Sequence, residues 1–273
     1  MCGRYTNETE FSQIRLLFQA TDRTLRPWTP KYNISPSSGP GFEQLIITVD
    51  RPGTRQIRLA RFWLIPSFWS KPLSALPTSF NARSEDLTRR RLWQGPYEHS
   101  RCLVPATGWR EFVGASTPKQ PYHFRLPIPE AGAPQPFAFA GLASTWTSPE
   151  GEVVDSFAIL TTAPSEQARA IHDRMPLVIP SELEEAWLFD DDGREQVLES
   201  ARQAALTRQL EVFPSDPVAN NVHYEGPSAV RRIQPTEARL SPKQRSAKQR
   251  SAKQQSPEQL SLLDRAPARR GRT

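Results

Sequence analysis

Gln44-Leu45-Ile46-Ile47-Thr48-Val49-Asp50, then a turn at Pro52-Gly53, then Gln56-Ile57-Arg58-Leu59-Ala60-Arg61-Phe62-Trp63-Leu64 read as two strands joined tightly in sequence. Further runs of the same kind follow at Arg101 to Pro105, Pro121 to Leu126, Pro136 to Leu142 and Val153 to Thr161. Helical patterns are fewer. Phe11, Ile14, Leu17 and Phe18 place an amphipathic helix over Glu8 to Ala20, with Thr6 or Asn7 as its cap. Ser84 to Trp93, Ser181 to Phe189 and Arg194 to Glu211 read as helices too, and the Pro-rich stretches 25–40 and 65–83 as aromatic loops. No regular strand-helix-strand alternation appears. The fold class expected is α+β: one compact domain over 2–235, built around a curved, mainly antiparallel β-sheet with peripheral helices.

Composition agrees. At 273 residues the chain can bury a core unaided, and 27 Pro against 13 Gly argues against a helical bundle. The two cysteines, Cys2 and Cys102, form no CxxC pair, so neither a disulfide framework nor structural zinc is expected, and reduced thiols point to the cytoplasm. Neither a spanning segment nor a signal-peptide pattern is present. The net charge of +6 belongs to the end of the chain: residues 231–273 hold 12 Lys or Arg against 3 Asp or Glu, which leaves the body slightly negative. From 236 to 273 the text turns to Ser, Gln, Lys and Arg, with Lys243-Gln244-Arg245-Ser246-Ala247 repeated at Lys248, and a disordered basic tail is expected. One apolar island, Leu260-Ser261-Leu262-Leu263, interrupts it.

Cys2 carries distinctive chemistry. Removal of Met1, by an aminopeptidase or by the chain itself, exposes an α-amine and a thiol on one residue, with ordinary pKa values of about 7.7–8.0 and about 8.5. Such a group condenses with an aldehyde to an imine and closes a thiazolidine. An amide-cleaving N-terminal nucleophile would use the thiol to attack and the amine as base.

Five motifs occur in order: Met1-Cys2-Gly3-Arg4-Tyr5; Tyr32-Asn33-Ile34-Ser35-Pro36; Phe80-Asn81-Ala82-Arg83-Ser84-Glu85; Arg101-Cys102-Leu103-Val104-Pro105 with Gly108-Trp109-Arg110-Glu111-Phe112; and Ile171-His172-Asp173-Arg174-Met175-Pro176. Together they resemble the SOS response-associated peptidase (SRAP) family over roughly residues 2–235. The resemblance implies a monomeric, cofactor-free, metal-free protein that binds single-stranded DNA and crosslinks to abasic sites through its N-terminal cysteine. Its catalytic groups map onto Cys2, Asn81, Glu111 and His172. Asn81 would hold the terminal amine through its amide oxygen. Glu111, after Trp109, would have a raised pKa and act as acid and base. His172 would stabilise the developing sugar hydroxyl or relay its proton. Arg4, Arg83 and Arg174 would contact phosphates, and Phe68 and Trp69 would stack on a base. Arg89, Arg90 and Arg91 read as a solvated helix face, and Cys102 as a core thiol. Phe68 stands where the family more often has Trp, and Val218 to Tyr224 follows the usual closing Val-Asn-rich strand only loosely. Two other functions compete: a cysteine peptidase or amidohydrolase acting on other proteins, and a noncovalent single-stranded nucleic-acid-binding module. In the tail, Gln259-Leu260-Ser261-Leu262-Leu263 resembles the peptide by which bacterial repair proteins dock on the DNA sliding clamp, through Gln259, Leu260, Leu262 and Leu263.

Overall fold

In a computed structural model the structure describes residues 2–36, 43–51, 53–115, 119–128 and 132–234. The first part of the chain forms β1 (Tyr5–Asn7), α1 (Phe11–Leu17), β2 (Thr21–Asp22), β3 (Lys31–Ile34), β4 (Gln44–Arg51), β5 (Thr54–Phe62) and β6 (Asn81–Arg83). The middle forms α2 (Arg91–His99), β7 (Arg101–Ala106), β8 (Gly108–Val113), β9 (Gln120–Arg125), β10 (Phe137–Thr147) and β11 (Val153–Thr162). The last part forms α3 (Glu166–Arg169), β12 (Met175–Pro176), β13 (Val178–Ile179), α4 (Glu184–Phe189), α5 (Arg194–Thr207) and β14 (Glu211–Pro214). The α+β expectation holds.

Among the described residues the strands make two sheets, ordered β14-β9-β8-β1-β3 and β12-β11-β10-β7-β4-β5-β2. The larger curls until β11 meets β5 in parallel, at Ser156 with Arg61 and Phe157 with Phe62, so β5, β4, β7, β10 and β11 close a ring. Register puts Phe62, Val104, Phe139 and Phe157 on one face of the ring and Leu45, Ile47, Ile57 and Leu103 on the other, all buried. Phe62 and Phe157 stack at 5.0 Å across the closure.

A single run of chain serves both sheets. β7 passes into β8 through Thr107, whose N–H donates to the Thr6 carbonyl at 2.8 Å and whose hydroxyl meets the Thr6 hydroxyl at 3.1 Å. Gly108 is required there: a Cβ would lie 2.5 Å from His123 Nε2 and 2.6 Å from the Phe124 carbonyl oxygen. A second device is a wedge. β10 and β11 pair from Gly141 to Thr147 and then diverge, and the β12–β13 segment enters the gap. Leu177 bridges it, donating to the Leu160 carbonyl and accepting from the Ala140 N–H, each at 2.8 Å.

Several boundaries differ from the sequence expectation. Thr6 and Asn7 are not caps but residues of β1; the first helix starts at Phe11 after Glu10, and Leu17, read as part of its apolar face, is 52% exposed. The helix placed at Ser84 begins at Arg91, since 84–89 form turns, and the last helix stops at Thr207 before the chain returns as β14. The stretches assigned wholly to loop contain the short strands β3 and β6.

Candidate functional site

Tyr5 fixes the N-terminal arm. Its ring inserts edge-on against Phe62 at 5.5 Å and Phe139 at 6.0 Å, buried between the sheets. The residues before it are therefore held at the seam. The Phe80 ring lies 3.6 Å from where a Gly3 side chain would begin, so the arm packs against the residue preceding Asn81. Cys2 is fully buried, its thiol directed at the Arg4 carbonyl at 3.7 Å. Burial pushes the thiol pKa well up, and the nearby Glu111 carboxylate pushes it further.

Glu111 lies on β8 two residues after Trp109, so both side chains share one face. Trp109 stacks on Phe124 at 5.1 Å and makes the surroundings apolar. Burial raises the Glu111 carboxyl to about 8, with Asp173 adding to the rise. This is the direction that the sequence context predicts. His172 comes from the loop between α3 and the wedge strand, and its Nε2 is 3.9 Å from Glu111 Oε2. The Arg174 N–H donates to His172 Nδ1 at 3.0 Å, which leaves the proton of the neutral ring on Nε2, towards Glu111. Asp173 Oδ1 is 2.8 Å from the same Nδ1 and would receive its proton in the charged ring. Burial lowers the His172 pKa and favours the neutral form.

Asn81 opens β6, which pairs in parallel with β11 at Ile159. Its Nδ2 donates to the Ile159 carbonyl at 3.3 Å, which fixes the amide orientation. The Asn81 Oδ1 is buried and has no partner among the described residues. A buried acceptor beside the N-terminal arm is suited to an ammonium or amine donor. The structure thus brings Cys2, Glu111 and His172 together, with Asn81 beside the same arm.

The residues read as DNA contacts divide. Arg83 is exposed. Arg174 instead forks onto Glu85, Nη1 to Oε1 and Nη2 to Oε2 at 2.8 Å each, and also donates to the Thr161 carbonyl at 2.6 Å. Its two terminal nitrogens thus tie the His172 loop to the turn after β6. Arg4 Nη1 donates to Asn33 Oδ1 and to the Ala219 carbonyl, each at 2.8 Å. Phe68 is 47% exposed, with the Arg91 guanidinium 4.5 Å over its ring. Trp69 is half-buried and its carbonyl accepts from Trp146 Nε1 at 2.7 Å. Cys102 is a buried core thiol. Arg89, Arg90 and Arg91 are exposed.

The segment compared with a closing strand forms instead a single 3-10 turn, Pro217–Asn220, which leans on β3 through the Asn33 Nδ2 bond to the Asn221 carbonyl at 2.8 Å. Sequence reasoning passed over Asn33 and Arg110, both inside quoted motifs. Arg110 is buried between Trp109 and Glu111, a charge within an apolar strand, and that placement was the available signal. The peptide at Gln259, Leu260, Leu262 and Leu263, like the rest of 235–273, lies outside the described residues. Among the described residues no group of three or more His, Cys, Asp or Glu side chains could hold a metal ion, and no helix is long and apolar enough to cross a membrane.

Known proteins resemble this chain in sequence and fold. A family model described as "SOS response associated peptidase (SRAP)" covers residues 1–223. The abasic site processing protein YoqW of Bacillus subtilis is 30% identical over 233 residues, 84% of this chain and 99% of its own length. The abasic site processing protein YedK of Escherichia coli is 25% identical, over 85% of this chain and all of its own length. A crystal structure of a Bacteroides thetaiotaomicron protein superposes with a TM-score of 0.70 at 19% identity, covering 85% of this chain and all of that one, which shows a shared fold. The chain belongs to the SOS response associated peptidase (SRAP) family.

Proposed function

We propose that this chain binds single-stranded DNA and traps abasic sites by a covalent thiazolidine between Cys2 and the ring-opened sugar aldehyde. The observation that carries the reading is the buried Cys2 thiol beside Glu111, whose carboxyl is raised to about 8 and stays mostly protonated at neutral pH. Relatives that bear the name abasic site processing protein support it.

The steps balance without an oxidant or a metal. With Met1 removed, by the chain itself or by an aminopeptidase, the α-amine belongs to Cys2. Glu111 gives its proton to the ring oxygen of the abasic deoxyribose, the C1′ hydroxyl proton returns through water to the carboxylate so formed, and the aldehyde opens with no net change in protons. His172 Nε2–H steadies the sugar hydroxyl so formed. The amine, held by Asn81 Oδ1, adds to the aldehyde carbon, and the carbinolamine loses water to give an imine. The thiol then adds to the imine carbon, its proton passes to the nitrogen, and the ring closes. One water leaves in total. The high pKa of the buried thiol suits this order, because a neutral thiol is a poor nucleophile and leaves the first addition to the amine.

Phosphates fall to the exposed Arg83 and the half-buried Arg4, and bases to Phe68 and Trp69. The protein works as a monomer in the cytoplasm, and Gln259-Leu260-Ser261-Leu262-Leu263 docks on the sliding clamp; a peptide spanning 255–266 that fails to bind a bacterial clamp would end that last proposal. The main reading is tested by mixing the full chain with single-stranded oligonucleotides, with and without an abasic site, on a denaturing gel. A covalent band with the abasic strand alone is expected. Peptide hydrolysis without such a band would favour a peptidase, and salt-sensitive binding without it a noncovalent module.

A further inference from the structure

The outer face of the smaller sheet carries two guanidiniums on one neutral oxygen. Arg4 Nη1 and Arg110 Nη1 donate to the same Asn33 Oδ1, at 2.8 and 3.1 Å. The remaining bonds of both side chains also go to uncharged acceptors: Arg4 to the Ala219 carbonyl at 2.8 Å, and Arg110 Nη2 to the Tyr32 carbonyl at 2.7 Å. Neither forms an ion pair among the described residues. The pair is built by register. Tyr5 stands opposite Trp109 and Ile34, so Arg4, Arg110 and Asn33 all turn to the opposite face, and the Arg110 N–H donates to the Arg4 carbonyl at 2.9 Å.

Two like charges held this close repel, and a protein usually relieves such a pair with a carboxylate. Here the position between them is an amide. Burial, then Arg4, lowers the Arg110 pKa to about 9, which leaves it charged at neutral pH. Glu8 is the acid that acts electrostatically on Arg110, from outside the hydrogen-bonded group, and its own hydrogen bond is to the Thr107 hydroxyl at 3.1 Å. Arg110 is enclosed while Arg4 is half-buried, so the summed charge has its outlet at Arg4.

We infer that Asn33 is a positioning residue that holds Arg4 and Arg110 side by side without neutralising them, so that their combined charge stays available to the phosphates of single-stranded DNA. The inference rests on the DNA-binding reading above and adds a source for the potential. An aspartate would hold the arginines more tightly and cancel half of what they offer. An apolar residue would let them part. The neutral amide keeps both geometry and charge, and its Nδ2 also secures the Asn221 carbonyl of the C-terminal turn.

The test compares Asn33→Asp and Glu8→Gln at pH 8 with wild type, using binding to an unmodified single-stranded oligonucleotide over a salt series together with thermal melting. Asn33→Asp should bind several-fold more weakly at low salt and lower the slope of log K against log salt by about 0.7, one phosphate contact; it also loses the donor to the Asn221 carbonyl, so its melting temperature reports that bond and not the charge. Glu8→Gln should move affinity the other way. A role limited to shape predicts instead that both variants weaken binding, and that outcome, or an unchanged Asn33→Asp salt slope, overturns the inference. If Asn33→Asp does not fold, the sign of the Glu8→Gln change decides alone. Wild type that binds no DNA at all would refute the underlying reading and this inference with it, whereas wild-type binding with the wrong response of the variants refutes this inference alone.

Discussion

β8 has two faces with opposite chemistry. On the inner face Glu111 follows Trp109 and its carboxyl is raised to about 8; on the outer face Arg110 is lowered to about 9. Burial is the leading cause at both, and it pushes each group towards neutrality. The outcome differs because of where each begins. A carboxyl that starts near 4.5 crosses neutral pH and becomes an acid, whereas a guanidinium that starts near 12.5 never reaches it and stays a cation. One strand thereby supplies a proton donor to the seam and a positive charge to the opposite surface. Chemistry and DNA affinity should therefore be separable by mutation, and a set of variants can show where that separation fails.

The largest effect is expected at Cys2. Cys2→Ala should abolish the covalent adduct while leaving binding to unmodified single strands close to wild type, checked by denaturing gel and by anisotropy. Loss of both would mean that the arm also builds the DNA surface.

Glu111→Gln comes next, with crosslinking slowed about 10²- to 10⁴-fold and affinity largely kept. For wild type the rate should fall as pH rises through about 8, where Glu111 loses its proton. Stability should follow the same group. Its folded pKa lies above the unfolded one, so the folded state holds more protons between about 4.5 and about 8, and stability declines across that window as pH rises. The Glu111→Gln variant should lack this decline in melting temperature. An identical decline in both would place the titration elsewhere.

Gly108→Ala tests what holds the two faces in place. A Cβ within 2.6 Å of the Phe124 backbone oxygen must displace β9, at a cost of about 1–3 kcal/mol in denaturant unfolding, and rate and affinity should fall together. The smallest effect is at Arg83. Arg83→Ala should lower the salt slope of binding by about 0.7 and leave the crosslinking rate at saturating DNA unchanged.

Sequence and structure agree most where local pattern and burial coincide. The long strands β4, β5, β10 and β11 announce themselves by β-branched and aromatic runs, and four of the five motifs hold Cys2, Asn81, Glu111 and His172. The smaller sheet is hard to read because its strands are short and carry buried charge on both faces: Gly108-Trp109-Arg110-Glu111-Phe112-Val113 has no apolar alternation, yet Arg110 and Glu111 are both buried. Asn33 and Arg110 meet across 77 residues, a separation at which no spacing rule operates. Arg174 was read as a phosphate ligand since an arginine next to a site histidine looks available; only the fold brings Glu85 to it.

The central claim is that the amine and thiol of Cys2 both bond to the sugar carbon. Intact-mass measurement of the adduct with an abasic single-stranded oligonucleotide, with and without borohydride added after the adduct has formed, tests it most directly. The account predicts the mass of the chain lacking Met1 plus the oligonucleotide less one water. Once the ring has closed, borohydride should leave that mass unchanged, because a thiazolidine has no imine left to reduce. For Cys2→Ser the reading is a reducible imine that gains a pair of hydrogens. A wild-type adduct that retains Met1, or that takes up hydride as fully as Cys2→Ser does, would contradict the account.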